Sequence, residues 1–307
     1  SFALAAMHQS QDNESAGARY TQLQMNAQAA ISAMELYEAF GETEYLSRGV
    51  SFARILMACQ ASAVDPSFSI PLRGYFYENE THERIQTYYH RSYEHAPIKA
   101  FAMLYRLAPE HEDAARWKNS LELYREYVAL TSRMVPYGLL PNGIYELDNT
   151  DFSTITHEGA RAAGAPSLEE YNAQVRNGIR LNDRFYLRVF PVAYQFRGFH
   201  ATLMGRALAA MELARALNDR EIKQVAVRQM EWILGCNPFA VSSMYGEGHD
   251  YHPLYAPMSP QLVGAVPVGF ETFENEDQPF YPMQNNATYK EVWVHTTCRM
   301  MWLIAML

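Results

Sequence analysis

Glu291, His295 and Arg299 recur at four-residue steps near the end of the chain, between Thr288 and Leu307. On a helix that spacing places the three side chains on one face. The segment therefore predicts an amphipathic helix with a carboxylate at its mouth. Val292, Val294, Met300, Met301, Leu303, Ile304 and Leu307 supply its apolar side. The helix dipole at that mouth favours the ionised carboxylate, so passing a proton to a bound substrate requires burial to raise its pKa. The same residues also read as a helix cap. Thr288-x-x-Glu291 has capping-box spacing, in which Glu291 would accept from the backbone N–H of Thr288.

Three further constellations carry polar chemistry. His90-Arg91-Ser92-Tyr93-Glu94-His95-Ala96-Pro97 sets four ionisable types just ahead of a helix start marked by Pro97. Backbone N–H groups there can hold an anion or a sugar hydroxyl. The alternative is a solvated loop with a local ion pair. Tyr245-Gly-Glu-Gly-His249-Asp250-Tyr251-His252-Pro253 is a glycine-punctuated loop with two histidines and two carboxylates. Histidines three apart in a loop are weak metal ligands on sequence grounds. Sugar contacts through imidazole N–H groups and carboxylates fit the loop better. Tyr186, Arg188, Tyr194, Arg197 and His200 form the third cluster. A serine nucleophile elbow, a P-loop and a dinucleotide-binding glycine pattern are all absent from the sequence.

Bulk properties narrow the class. Net charge is −9 with no block of like charge, which argues against nucleic acid and against an anionic membrane surface. No apolar run approaches the roughly 20 residues of a membrane span. Cys59, Cys236 and Cys298 form no CxxC pair, so neither a zinc site nor a disulfide framework is expected. No cofactor is implied, and no motif supports a structural calcium. The 21 tyrosines suit core and interface packing, and also stacking on the apolar C–H faces of sugar rings. The chain opens Ser-Phe-Ala-Leu-Ala-Ala-Met, already in a helix-like run, and reads as a processed product or a piece of something longer. Phe2, Leu4 and Met7 are expected to contact another chain or segment.

Helical periodicity runs nearly throughout. Leu23, Ala27, Ala30, Ile31, Met34 and Tyr37 mark a helix closed by Gly41. Others are expected over about 44–60, 97–107, 110–134, 198–217 and 219–234, before the terminal helix. Long polar-aromatic loops separate them at 62–92, 135–167, 180–196 and 236–287, with strand-like pieces at Leu187–Phe190 and Leu262–Val266. Short turns alternating with long loops predict an all-α fold, a barrel of helical hairpins whose loops gather at one end.

The C-terminal third adds a resemblance. Trp232-Ile-Leu-Gly235, Asn237-Pro238, Ser242-Ser-Met-Tyr245-Gly-Glu-Gly248, Gln261-Leu-Val-Gly264 and Lys290-Glu-Val-Trp-Val294 occur in the order seen in glycoside hydrolase family 9. The resemblance implies an (α/α)6 barrel, incomplete in this chain, with residues 1–307 as the C-terminal portion of one catalytic domain. It implies a secreted or periplasmic enzyme that cleaves a polysaccharide or oligosaccharide with inversion. Glu291 matches the family's general acid. His249 or His252 falls in its histidine-rich substrate loop, alongside Tyr245 and Asp250. Lys290 stands where the family has Asn, and Trp293 and His295 depart from the cellulase pattern, so this is a divergent branch. His90, Arg91, Glu94, His95 and Arg188 complete the expected substrate contacts.

The family's base lies in an Asp-Ala-Gly-Asp motif that does not occur here. Inversion needs a second carboxylate. The expectation is that a separate N-terminal polypeptide supplies it, together with two missing hairpins. Glu94, Asp250 and Asp277 are the replacements within the chain. Two other functions compete: a polysaccharide lyase or uronate-processing enzyme, for which His90, Arg91, His95 and Arg188 would hold a carboxylated sugar, and a non-catalytic glycan-binding subunit.

Overall fold

The computed structural model describes residues 20–88, 93–149, 167–192, 198–255, 261–272, 276–281 and 287–307. Phe2, Leu4, Met7, His90 and Arg91 lie outside these residues. Helix α1 spans Gln22–Phe40 and α2 spans Thr43–Ala58. Thr21 and Gln24 cap α1 reciprocally, and Gly41 ends it in the left-handed region at φ 71°. Helix α3 spans His95–Leu107 and α4 spans Ala114–Met134. Pro97 sits in the first turn of α3 rather than at its first residue.

A short sheet follows. Strands β1 (Gly143–Glu146), β2 (Ile179–Arg180) and β3 (Phe185–Arg188) pair antiparallel in the order β1-β3-β2. Ile144 lies opposite Leu187 in this register. Strand β3 shares Leu187 and Arg188 with the strand expected at Leu187–Phe190 but starts two residues earlier and ends two residues sooner. Helix α5 (Leu168–Arg176) lies between two of the expected loops, where no helix is predicted. Ser167 and Glu170 form its capping box.

Helix α6 spans His200–Leu217 and α7 spans Arg220–Ile233. Asn218 turns the chain between them at φ 52°, and the Asp219 carboxylate caps α7. Strands β4 (Glu271–Thr272) and β5 (Pro279–Phe280), helix α8 (Ala287–Lys290) and helix α9 (Val294–Ala305) complete the described elements. Leu262–Val266 is a turn around Gly264 rather than a strand; the Ala265 amide donates to the Leu262 carbonyl.

The helices form two layers. Helices α1, α3, α6 and α9 are neighbours in turn, and α2, α4 and α7 each pack behind the inner helix that precedes them. This wall of hairpins is the all-helical class that the periodicity predicts. Helix α6 is apolar nearly all round because it is covered on nearly all sides. It buries Leu203, Leu208 and Leu213 completely, and each such burial is worth about 1.5–3 kcal/mol. Helix α7 shows the opposite pattern, with Ile222, Val225, Ala226, Met230 and Ile233 as an inward stripe and charged residues outside.

The inner helices start at one rim. Phe199 and His200, at the start of α6, donate their amides to Phe270 and Val268. Val268 in turn donates to Glu291, just before α9. The Arg299 guanidinium on α9 reaches the Ala201 carbonyl and lies over the Tyr93 ring, one residue before Glu94. At the opposite end the Lys223 ammonium meets the Leu307 carbonyl. No described helix is long and apolar enough to cross a membrane. Cys59, Cys236 and Cys298 are free thiols, and burial pushes the Cys59 thiol up to about 12.

Candidate active site

The terminal segment is not one helix. Helix α8 ends at Lys290, residues 291–293 are extended, and α9 starts at Val294. Thr288 lies inside α8 and Glu291 lies beyond it, so the capping-box geometry read from their spacing does not form. Backbone pairing explains the break. Val292 bridges Pro267, Val268 donates to the Glu291 carbonyl at 2.9 Å, and Gly269 donates to the Tyr289 carbonyl at 2.9 Å. The β-branched Val292 favours an extended backbone at this point. Glu291 is therefore held on a short strand-like rung, half-buried, instead of on a helix face.

One carboxylate oxygen of Glu291 is fixed. Its Oε2 accepts from the Trp293 indole N–H at 2.7 Å. The Trp293 ring packs against the His295 ring with centroids 4.8 Å apart. Glu291, Trp293 and His295 thus form one contiguous group, while Arg299 lies deeper along α9 and faces α3 and α6.

Two loops wrap the Glu291 rung. Tyr255 donates its amide to the Lys290 carbonyl, and Tyr245 exchanges backbone hydrogen bonds with Ala265 and Gly264. Gly246 and Gly248 take positive φ in the turn between, which presents His249 and Asp250 to solvent. The Tyr245 and Tyr251 rings meet edge-on at 5.2 Å. His252 points the other way. It is 1% exposed, its Nδ1 bonds the Pro253 carbonyl, and its ring meets Tyr281 edge-on at 4.7 Å. Burial pushes its pKa down to about 4, so it is a neutral imidazole at neutral pH. His249 and His252 therefore do not face one another as a ligand pair would. Among the described residues no group of three or more His, Cys, Asp or Glu side chains is placed to hold a metal ion.

Under the rung lies His200. It is fully buried, edge-on to Phe270 at 5.3 Å, and burial followed by nearby His252 pushes its pKa down to about 3. Gly269 is required here. A Cβ at that position would lie 2.1 Å from the His200 ring, and the backbone φ is +97°.

The second grouping surrounds Glu94 and His95. His95 is buried edge-on to Trp302 of α9 at 5.2 Å. Burial first, then Arg299 and Lys99, push its pKa down to about 3. Glu94 is 8% exposed, and burial pushes its carboxyl up to about 8 against the pull of Arg206, the Tyr124 hydrogen bond and Arg299. Arg206 is 2% exposed and donates to the Asn142 side chain at 2.7 Å. The sequence reading did not single out Arg206 or Asn142. A lone arginine between Leu203, Met204, Ala207 and Leu208 was the available sign, because a buried guanidinium demands partners.

Arg188 and Asp277 are engaged with each other and with backbone. Arg188 is fully buried, pairs with Asp277 at 3.4 Å, and donates to the carbonyls of Gln174, Phe190 and Glu276. Asp277 accepts from the Val189 and Phe190 amides at 3.0 and 2.9 Å. Together they fasten β3 to the β4–β5 hairpin.

No family model and no curated protein matches the chain. Solved structures do align with it. The cellulase Cel9M of C. cellulolyticum is 14% identical with a TM-score of 0.47, over 94% of this chain and 50% of its own. A GH9 protein from Bacteroides ovatus is 13% identical with a TM-score of 0.46, over 92% and 39%. Endoglucanase CelQ from Clostridium thermocellum is 16% identical with a TM-score of 0.35, over 92% and 46%. The chain spans half or less of these proteins. At these similarities neither family nor activity follows from the likeness.

Proposed function

We propose that this chain carries the acid half of a glycoside hydrolase site, with Glu291 as general acid toward a polysaccharide or oligosaccharide. The observation that carries the reading is the seat of Glu291. A half-buried carboxyl group stands on an extended rung, oriented by the Trp293 indole N–H and flanked by loops bearing Tyr245, Tyr251 and Asp250. That combines a proton carrier with ring faces and polar groups suited to a sugar. Trp293, His295, His249 and Tyr245 are the nearest substrate contacts in this reading. His252 supports the loop from behind.

The mechanism is inverting, and the base comes from an N-terminal polypeptide. Asp277 is clamped by Arg188 and two amides, and Glu94 belongs to the separate buried group. Asp250, exposed on the flanking loop, is the one in-chain alternative to the partner's base, and loss of turnover in Asp250→Asn would assign the base to it. The partner's carboxylate is expected about 6.5–9.5 Å from Glu291. The protein needs no cofactor for this chemistry, and it acts outside the cytoplasm. The uronate reading is weaker because Arg188, its most buried cation, is turned onto Asp277 and backbone carbonyls.

Glu291→Gln tests the assignment. The swap keeps shape and removes the transferable proton, so turnover by the assembled enzyme should be lost while glycan binding stays within a few-fold. Activity retained at an unchanged melting midpoint would remove Glu291 from the mechanism. An unsaturated product absorbing in the near ultraviolet would replace hydrolysis with elimination.

A further inference from the structure

Glu94, at the start of α3, lines a small cavity. Tyr75, Tyr88, Tyr124, Tyr127 and Asn142 form most of its remaining wall. Its volume is about 20 Å³, above the ~10–15 Å³ that one water-sized group needs. The Glu94 Oε2 meets no hydrogen-bond partner among the described residues, although the side chain is more than nine-tenths buried. Tyr124 hydrogen-bonds the same carboxyl, and Arg206, beside it, is held by Asn142. A buried polar atom left unmatched costs about 1–3 kcal/mol, so among the described residues the wall is short of one hydrogen-bonding group.

We propose that this cavity is a hydroxyl pocket, which receives a single hydroxyl of a neutral sugar unit and excludes carboxylated and N-acetylated sugars at that position. The inference rests on the glycan reading above and names its substrate class. Size decides the exclusion. A carboxylate or an acetamido group brings at least three non-hydrogen atoms, and the cavity accommodates one. Hydrogen-bonding character agrees. Burial keeps a proton on Glu94 at neutral pH, so the carboxyl offers one donor and one acceptor, and a hydroxyl offers the same in return. The tyrosine rings give the sugar's C–H edges an apolar wall.

The test is a glycan array carrying neutral, carboxylated and N-acetylated oligosaccharides, probed with the Glu291→Gln protein so that bound glycan is not consumed. Neutral glycans should bind. Adding Glu94→Leu should weaken them at least tenfold, and Tyr127→Phe several-fold. Adding Glu94→Gln should leave binding within about threefold and the melting midpoint nearly unchanged, because an amide also offers a donor and an acceptor. If Glu94→Leu does not fold, Tyr127→Phe and Glu94→Gln decide. Preference for carboxylated or N-acetylated glycans would overturn the proposal. So would glycan binding indifferent to both Glu94→Leu and Tyr127→Phe, or a Glu94→Gln protein that binds poorly. If the parent protein binds no glycan at all, the glycan reading itself fails and the pocket falls with it.

Discussion

Gly269→Ala is the perturbation that most directly links the core to Glu291. The added methyl would sit 2.1, 2.2 and 2.3 Å from Cγ, Nδ1 and Cδ2 of His200. Ordinary carbon contacts lie at about 3.5–4.0 Å, so the ring or the strand must yield by more than an ångström. The ring has little room, because His200 is fully buried against Phe199 and Phe270. The backbone adds its own cost, since φ at Gly269 is +97°. A Cβ in the left-handed half of the map costs about 1–2 kcal/mol, and overpacking a core costs about 1–3 kcal/mol more. The sum, roughly 2–5 kcal/mol, is a large part of a domain's usual stability of about 5–15 kcal/mol. It should appear in urea unfolding as a lower midpoint at unchanged slope. The rung then transmits the shift. The Gly269 and Val268 amides bond the Tyr289 and Glu291 carbonyls, so turnover should fall more than tenfold even in conditions where the variant is fully folded. A Gly269→Ala protein within 1 kcal/mol of the parent, with normal turnover, would refute the close packing of His200 under the Glu291 rung.

Trp293→Phe should keep the ring against His295 and lose the N–H that holds the Glu291 Oε2. Turnover is expected to drop about tenfold or more with a shift in its pH profile, while the melting midpoint moves by only a few degrees; an unchanged pH–rate profile would mean that the indole does not orient the acid. Stability should pass through a maximum near pH 6.5. His95, His200 and His252 have pKa values lowered from 6.5 to about 3, 3 and 4, so the unfolded chain binds more protons and stability is lost as pH falls below 6.5. Glu94 is raised from 4.5 to about 8, so its contribution is complete below pH 4.5 and is lost as pH rises toward 8. Each proton is worth on the order of 1.4 kcal/mol per pH unit, and three histidines outweigh one glutamate on the acid side. Melting midpoints across pH 4–9 check this, and Glu94→Gln should flatten the limb between pH 6.5 and 8.

Much of the helical framework is legible because its cues are local. The stripe from Leu23 to Met34, the left-handed stop at Gly41 and the Asn218-Asp219 turn each depend on residues within a few positions. Helix α5 was equally local, since Ser167 and Glu170 stand at capping-box spacing, yet a long loop on either side hid it. The break before α9 was not legible. Thr288 to Leu307 has helical periodicity, and what overrides it is pairing of Tyr289–Val292 with Pro267–Gly269, a contact between segments that the sequence does not join. Register of that kind is a tertiary property. It also leaves Val294, Met301 and Ile304 on the outside of α9 and Leu307 beyond its end, where each is at least half exposed, although the pattern would bury them.

The rim carboxyls show why composition near a motif cannot assign chemistry. Glu291, Glu94 and Asp277 look alike in the sequence, each beside aromatic residues or basic groups in a loop or at a helix start. Their surroundings set them apart. Asp277 is largely covered, with Arg188 and two backbone amides satisfying its oxygens, so moving a proton there would break the clamp between β3 and the β4–β5 hairpin. Glu94 is buried with fewer partners, and desolvation holds its proton. It can donate and accept hydrogen bonds, but it stays neutral while water near it remains unactivated. Glu291 is only partly buried, on a segment that backbone pairing with Pro267–Gly269 holds in place. A general acid must cycle through both protonation states in each turnover. In the proposed reading that role falls to Glu291, opposite a carboxylate that stays ionised beside water, a condition that neither the protonated Glu94 nor the clamped Asp277 meets.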